Sequence, residues 1–219
     1  MNYLGLIMHR LIRIWPTYIG AILFFWKVMP LLGSGPIFGL YSRIVNECDG
    51  GGFLNNLFFI DNFKNHGPSG QKYCFGWGWY LAVDFQLFLI TPFLFLAYRR
   101  SKKLGLAVLI ILFAASIISA WLLIFINHWR YPTYNPTFKP QPSFMDNFYY
   151  KPWVRAAPYL MGVFTGLFYL EWKEQNPKVM AIINTMRNSI RIRIALYVIG
   201  ITLTTATIWV LVPYQTGKA

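Results

Sequence analysis

Residues 104–126 read LGLAVLIILFAASIISAWLLIFI, an uncharged run of 23 residues. At about 1.5 Å rise per residue, a helix of that length crosses the roughly 30 Å hydrocarbon core of a bilayer. Just upstream, Arg99, Arg100, Lys102 and Lys103 surround Ser101, and before them lies a second apolar stretch, residues 79–98. Two apolar helices joined by a dense basic turn make a transmembrane hairpin, and the turn belongs on the cytoplasmic side, where lysine and arginine accumulate.

Working outward from the hairpin, residues 15–32, 156–170 and 194–212 also read as spans. The expected fold is all-α, a polytopic transmembrane bundle of about five spans with one disulfide-bearing outer loop. A short or polar run taken singly reads equally as a buried helix of a soluble protein, but the uncharged runs at 104–126 and 194–212 exclude that for the whole chain. Composition agrees. The chain of 219 residues is 56% hydrophobic and only 12% charged, against about 25% charged in an average soluble domain. Its net charge of +13 sits beside apolar runs, which points to anionic lipid rather than nucleic acid. No RNA-binding aromatic motif, metal-ligand spacing, Gly-x-Ser-x-Gly elbow or phosphate-binding glycine loop is present.

Alternation from the basic turn predicts the topology. Residues 1–14, with Arg10 and Arg13, are cytoplasmic, as are residues 171–193 with Lys173, Lys178, Arg187, Arg191 and Arg193. Residues 33–78 and 127–155 are outside. Cys48 and Cys74 then share an outer loop in an oxidising compartment and read as a disulfide, the alternative being two free thiols. Within that loop, Gly50-Gly51-Gly52 and His66-Gly67-Pro68-Ser69-Gly70 are turn signals. Residues 53–63 are too short to span and are expected on the membrane surface or folded into a vestibule. Residues 131–142, with prolines at 132, 136, 140 and 142, predict an extended connector. Residues 1–32 show no cleavable signal peptide.

Three constellations carry candidate chemistry. Arg10 and Arg13 are i,i+3 neighbours on a helix, so two guanidinium forks share a face and suit a phosphate or carboxylate; plain positive-inside anchoring is the alternative. Asp84, in Trp79-Tyr80-Leu81-Ala82-Val83-Asp84-Phe85-Gln86, places a carboxylate inside a span, where it requires a polar cavity or a cationic partner. Gln86 is two positions on and faces another way. Lys151 and Arg155, flanked by Pro152 and Pro158, are the expected partners of Asp84 from the outer side. The prolines argue against a simple helix start there, and Gly162 with Gly166 provides a close-packing pair. The alternatives are a structural ion pair and an interfacial anchor. His9, His66 and His128 have no carboxylate at helical spacing and read as solvated or interfacial residues.

These elements, in this order, resemble the acyltransferase 3 superfamily and, within it, the nose-resistant-to-fluoxetine branch. Arg10 and Arg13 leading into Ile14-Trp15-Pro16-Thr17-Tyr18 look like the family's Arg-x-x-Arg motif. Cys48, Asn55-Asn56-Leu57-Phe58-Phe59-Ile60-Asp61-Asn62-Phe63 and Cys74 resemble the branch's cysteine-flanked loop. Residues 79–88 are the most specific match, with Asp84 where bacterial members usually carry Glu. Residues 150–162 resemble a later element. The resemblance covers residues 9–170.

The resemblance implies transfer of an acyl group, other than aminoacyl, from acyl-CoA as co-substrate to a hydroxyl-bearing acceptor at the membrane, with no bound cofactor or metal. Arg10 and Arg13 would bind the donor and Asp84 would act in catalysis. Trp79, Tyr80, Gln86, Lys151 and Arg155 would line the cavity or pair its charge. The family's base is a histidine on a helix upstream of the arginine pair. Residues 1–219 are accordingly expected to be a partial acyltransferase 3-like domain that works with the missing family helices or a partner subunit. It would sit in the plasma membrane or endoplasmic reticulum with its amino terminus cytoplasmic. A lipid or small-molecule transporter on the same bundle, without acyl transfer, and a scaffold subunit are the competing readings.

Overall fold

The computed structural model describes residues 3–33, 35, 47–63, 74–127 and 144–215, with side chains described as far as residue 206. All regular elements among the described residues are helical. We label them α1 (Tyr3–Leu23), α2 (Phe53–Leu57), α3 (Gly78–Arg100), α4 (Lys102–Asn127), α5 (Pro152–Lys173), α6 (Pro177–Asn188) and α7 (Ile190–Gln215). Short wider or tighter turns extend some of them, at Phe24–Val28, Met29–Leu31, Cys48–Gly52, Asp61–Phe63 and Met145–Tyr149.

The chain divides into two compact units. The first, residues 1–127 with 141–160, contains the expected hairpin as α3 and α4. Ser101 leaves helical geometry between them, and its N–H closes α3 on Ala97 at 3.0 Å. Gly105 lies so close to the backbone of Tyr98 that a Cβ there would overlap it, so a side chain at 105 would pry the hairpin apart. Both helices are long and apolar enough to cross a membrane, as is the continuous winding Tyr3–Leu31.

That winding corrects one expectation. Residues 1–14 were expected to precede the first span, yet α1 begins at Tyr3 and carries Arg10 and Arg13 within it, passing through Pro16. A hydropathy reading stops at charges, whereas a helix continues wherever a partner compensates them. The winding widens at Phe24–Val28 and tightens at Met29–Leu31, a last turn that contains Pro30.

A second correction concerns the prolines at 152 and 158. Pro152 opens α5 instead of preventing it, because its missing N–H would be unpaired at a first helical position anyway. Pro158 lies inside the same helix.

The cysteines do pair. Cys48 and Cys74 form a disulfide across 26 positions, and both are buried. Gly52 packs against Cys74. Residues 53–63 fold inward as α2 and the turn Asp61–Phe63, with Asn56, Phe59, Asp61 and Asn62 all buried. Phe59 anchors this insertion: its ring stacks on Tyr18 of α1 at 5.6 Å and on Phe85 of α3 at 4.7 Å.

The second unit, residues 128–140 with 161–219, contains the remainder of α5 and helices α6 and α7. Asn176 caps α6 by accepting from the N–H of Lys178 and donates to Glu171. The axes of α6 and α7 meet at 88° around Ser189, so the pair counts as at most one broken span. Three helices therefore satisfy the length and apolarity of a span among the described residues, or four with the bent pair. The expected connector at 131–142, the turn signal at 66–70 with His66, and His128 lie outside the described residues.

Candidate functional site

Side-chain contacts run antiparallel along α1 and α3. The Tyr3 hydroxyl donates to the Leu89 carbonyl at 3.1 Å and its ring meets Phe93. One level along, Arg10 donates to Asp84 in an ion pair. At the far end Tyr18 meets the start of α3 at Gly78. Asp84 lies six residues into α3, roughly 9 Å along the axis from its first residue. The Arg10 guanidinium also lies over the Phe88 ring at 4.1 Å, one turn beyond Asp84.

The pair answers the electrostatic problem posed by the sequence. Each charge alone would cost several kcal/mol inside a membrane, and together they neutralise one another. The expectation that Lys151 or Arg155 pairs with Asp84 is overturned; Arg10 is its partner. The pair is not sealed, since the side chains keep 26% and 33% of their exposure. The Arg10 Nε is buried and has no hydrogen-bond partner. Arg13 is exposed on the same helix, and His9 is exposed beside Arg10.

The remaining residues singled out in the sequence gather where residues 59–63 and 149–155 meet α3. Gln86 faces away from Asp84, as the helical spacing requires. Its amide donates to the Phe59 carbonyl at 2.8 Å and exchanges hydrogen bonds with the Asn62 amide at 2.8 and 3.0 Å. Lys151, buried, donates to the Asn62 carbonyl at 3.0 Å. Burial pushes its ammonium below the usual lysine range, and the Asp146 carboxylate pulls it part of the way back. Burial likewise raises the Tyr150 phenol, with Asp146 adding to the effect.

Arg155 donates to the Tyr149 carbonyl at 3.1 Å and lies over the Tyr149 ring at 4.1 Å. Trp79 sits between Tyr149 and Tyr150 at 5.0 and 5.3 Å. Tyr80 is largely exposed and touches Trp79 edge-on. This group packs residues 59–63 and 149–155 against Trp79 and Gln86 in the first part of α3. Of the charged residues singled out in the sequence, Arg10 and Asp84 come together as an ion pair.

Sequence reading assigned no role to Tyr18, Asn56 and Asp61. They converge on Gly78, where a Cβ would meet all three. The Asn56 amide donates to the Tyr18 hydroxyl at 3.1 Å. Asp61 is 3% exposed, and neither carboxylate oxygen has a partner of good hydrogen-bond geometry. Burial raises its pKa from 3.8 to about 7; the nearby N–H groups of Asp61 and Asn62 offset only part of that rise. The available signal was four polar residues, Asn55, Asn56, Asp61 and Asn62, in an otherwise apolar stretch too short to span. Among the described residues, no group of three or more His, Cys, Asp or Glu is placed to hold a metal ion.

With this arrangement established, comparison with known proteins decides the family. The acyltransferase 3 profile, described as an acyltransferase domain, matches residues 1–217. The chain belongs to the acyltransferase 3 family. It is 27% identical over 188 residues to nose resistant to fluoxetine protein 6 of Caenorhabditis elegans, covering 79% of this chain and 21% of that protein. It is 22% identical over 182 residues to regulator of hypoxia-inducible factor 1 of the same organism, covering 75% of this chain and 34% of that one. This acyltransferase 3 chain thus spans about a fifth to a third of the length of those relatives. No solved structure matches it. Its apolar helices and its family together make it a membrane protein.

Proposed function

We propose that this chain is part of a membrane-bound acyltransferase that moves an acyl group, other than aminoacyl, from acyl-CoA to a hydroxyl-bearing acceptor. The observation that carries the reading is the Arg10–Asp84 pair, held between two membrane-spanning helices yet still partly open. The Arg10 side chain keeps 26% of its exposure. A guanidinium suits the phosphates or the thioester carbonyl of the donor. Asp84, oriented by Arg10, then accepts a hydrogen bond from the acceptor hydroxyl and aligns its oxygen.

In the transfer, the acceptor oxygen attacks the thioester carbonyl and an ester C–O bond forms. The C–S bond breaks, and coenzyme A leaves as its thiol after receiving a proton. The hydroxyl proton requires a base. By the family resemblance that base is a histidine on a helix upstream of the arginine pair, supplied by the whole protein. Arg10 stabilises the negative charge that develops on the carbonyl oxygen, where a preorganised donor acts most strongly.

The same reading orients the protein. The Tyr3 end of α1 and the basic turn between α3 and α4 fall on one side, as the antiparallel contacts support, and that side is cytoplasmic. The disulfide lies on the opposite, oxidising side, in the plasma membrane or endoplasmic reticulum. Lipid bilayer, acyl-CoA and a hydroxyl acceptor are the partners.

The test is binding of radiolabelled acyl-CoA to the full-length protein in nanodiscs, with and without Arg10→Ala plus Arg13→Ala. Losing charge-assisted hydrogen bonds predicts a roughly 10- to 100-fold weaker Kd. Unchanged binding in the double variant, or solute flux with no acyl-CoA consumed, would replace this reading with transport.

A further inference from the structure

A cavity of about 370 Å³ lies between α3, α4 and the first turns of α5, within the first compact unit. Leu87, Ile90 and Leu94 form one wall, Leu112 and Ala115 a second, and Leu160 a third. The hydroxyl groups around it are already engaged. Ser116 accepts from the Ala157 N–H at 3.1 Å, and Ser119 donates to the Ser116 carbonyl at 2.9 Å. Thr91 and Tyr159 bond to each other at 2.9 Å. Apart from the Trp153 indole N–H, the polar side chains lining it are already hydrogen-bonded to one another or to backbone, a poor match for a sugar, a nucleotide or a headgroup, and water held there would lack the several partners it needs.

Size and position narrow the occupant further. A molecule of liquid water takes about 30 Å³ and a methylene occupies a similar volume, so the cavity takes a chain of roughly a dozen carbons. Two of its walls are membrane-spanning helices. Leu87 follows Asp84 by three residues, so the cavity begins one helical turn from the ion pair. An amphiphile with its polar end at Arg10 therefore has an apolar slot beginning about one turn along α3.

We propose that this cavity holds the hydrocarbon chain of a fatty acyl thioester, so that the transferred group is a medium- or long-chain acyl rather than acetyl. This rests on the acyl-transfer reading above and names its donor class. Bulk phospholipid and the remaining helices of the full-length protein are the rival occupants.

The experiment uses full-length protein in nanodiscs and compares binding of acetyl-CoA with dodecanoyl-CoA. It adds photo-crosslinking by diazirine-bearing dodecanoyl-CoA or, separately, diazirine-bearing phosphatidylcholine. Ala115→Trp, at the open edge of the pocket, fills it, and Ala107→Trp places the same ring on α4 away from the pocket lining as a control. The proposal expects dodecanoyl-CoA to bind at least about a hundredfold tighter than acetyl-CoA. It expects Ala115→Trp to erase that preference and the crosslink to residues 112–119, and Ala107→Trp to change neither. Equal binding of the two thioesters would overturn the proposal and leave acyl transfer standing. So would a phospholipid crosslink as strong as the acyl-CoA one, or no crosslink to 112–119 from any probe. Absence of binding by both thioesters would overturn the acyl-transfer reading and the proposal together.

Discussion

Asp61 shows how a single side chain couples this fold to pH. Its carboxyl keeps a proton up to about pH 7 in the folded protein, against 3.8 ordinarily. Folding therefore takes up a proton between those values, so stability falls as pH rises through that window and levels off above it. The full effect is on the order of 4 kcal/mol. Thermal unfolding in detergent should show a higher midpoint at pH 5 than at pH 8 for the wild-type protein. Asp61→Asn, neutral at both, should lose the difference and gain stability at pH 8; a slope that survives in this variant would rule Asp61 out as its source. None of this was legible in sequence, because the loop containing Asp61 becomes an interior only through Phe59 stacking on two helices. Arg10 and Asp84 were individually legible as charges beside or within apolar runs. Their partnership was not, because pairing residues 74 positions apart requires the register between two helices.

The hairpin α3–α4 follows from hydropathy and one basic turn, which is why its reading held. The cysteine pair followed from topology plus the usual redox rule, and the elements it staples were harder to foresee. Residues 53–63 have too few apolar positions to span and too many to stay in water, so their inward fold depends on Asn56 and Asn62 finding partners. The disulfide closes a loop of 26 positions around them, which should stabilise the folded state by about 3–4 kcal/mol. Reduction, or Cys48→Ser with Cys74→Ser, should lower the unfolding midpoint by that equivalent. It should also raise hydrogen exchange at α2 and the first turn of α3 while leaving the α4 interior protected. Unchanged exchange at α2 would mean the aromatic stack alone holds it. The start of α1 and the proline-opened α5 eluded sequence reading for one reason: charges and prolines mark boundaries only on average, and local partners override them.

For the whole molecule, what matters is whether the Arg10–Asp84 pair is a lock between helices or the chemical centre of an acyltransferase. Both readings predict that Arg10→Ala destabilises, since it leaves a carboxylate uncompensated within a span. They part when the charges are exchanged. Arg10→Asp combined with Asp84→Arg keeps an ion pair across α1 and α3 but moves the guanidinium to the other helix, away from its place over Phe88. The decisive measurement is therefore transfer of a labelled acyl group by the full-length protein, taken with its unfolding midpoint, for wild type, Arg10→Ala and the exchanged pair. The account predicts that the exchanged pair recovers about 1–3 kcal/mol of coupling over the single charge reversals while transfer stays as low as in Arg10→Ala. Transfer restored by the exchange, or undiminished in Arg10→Ala, would show the pair to be a lock and place the chemistry elsewhere.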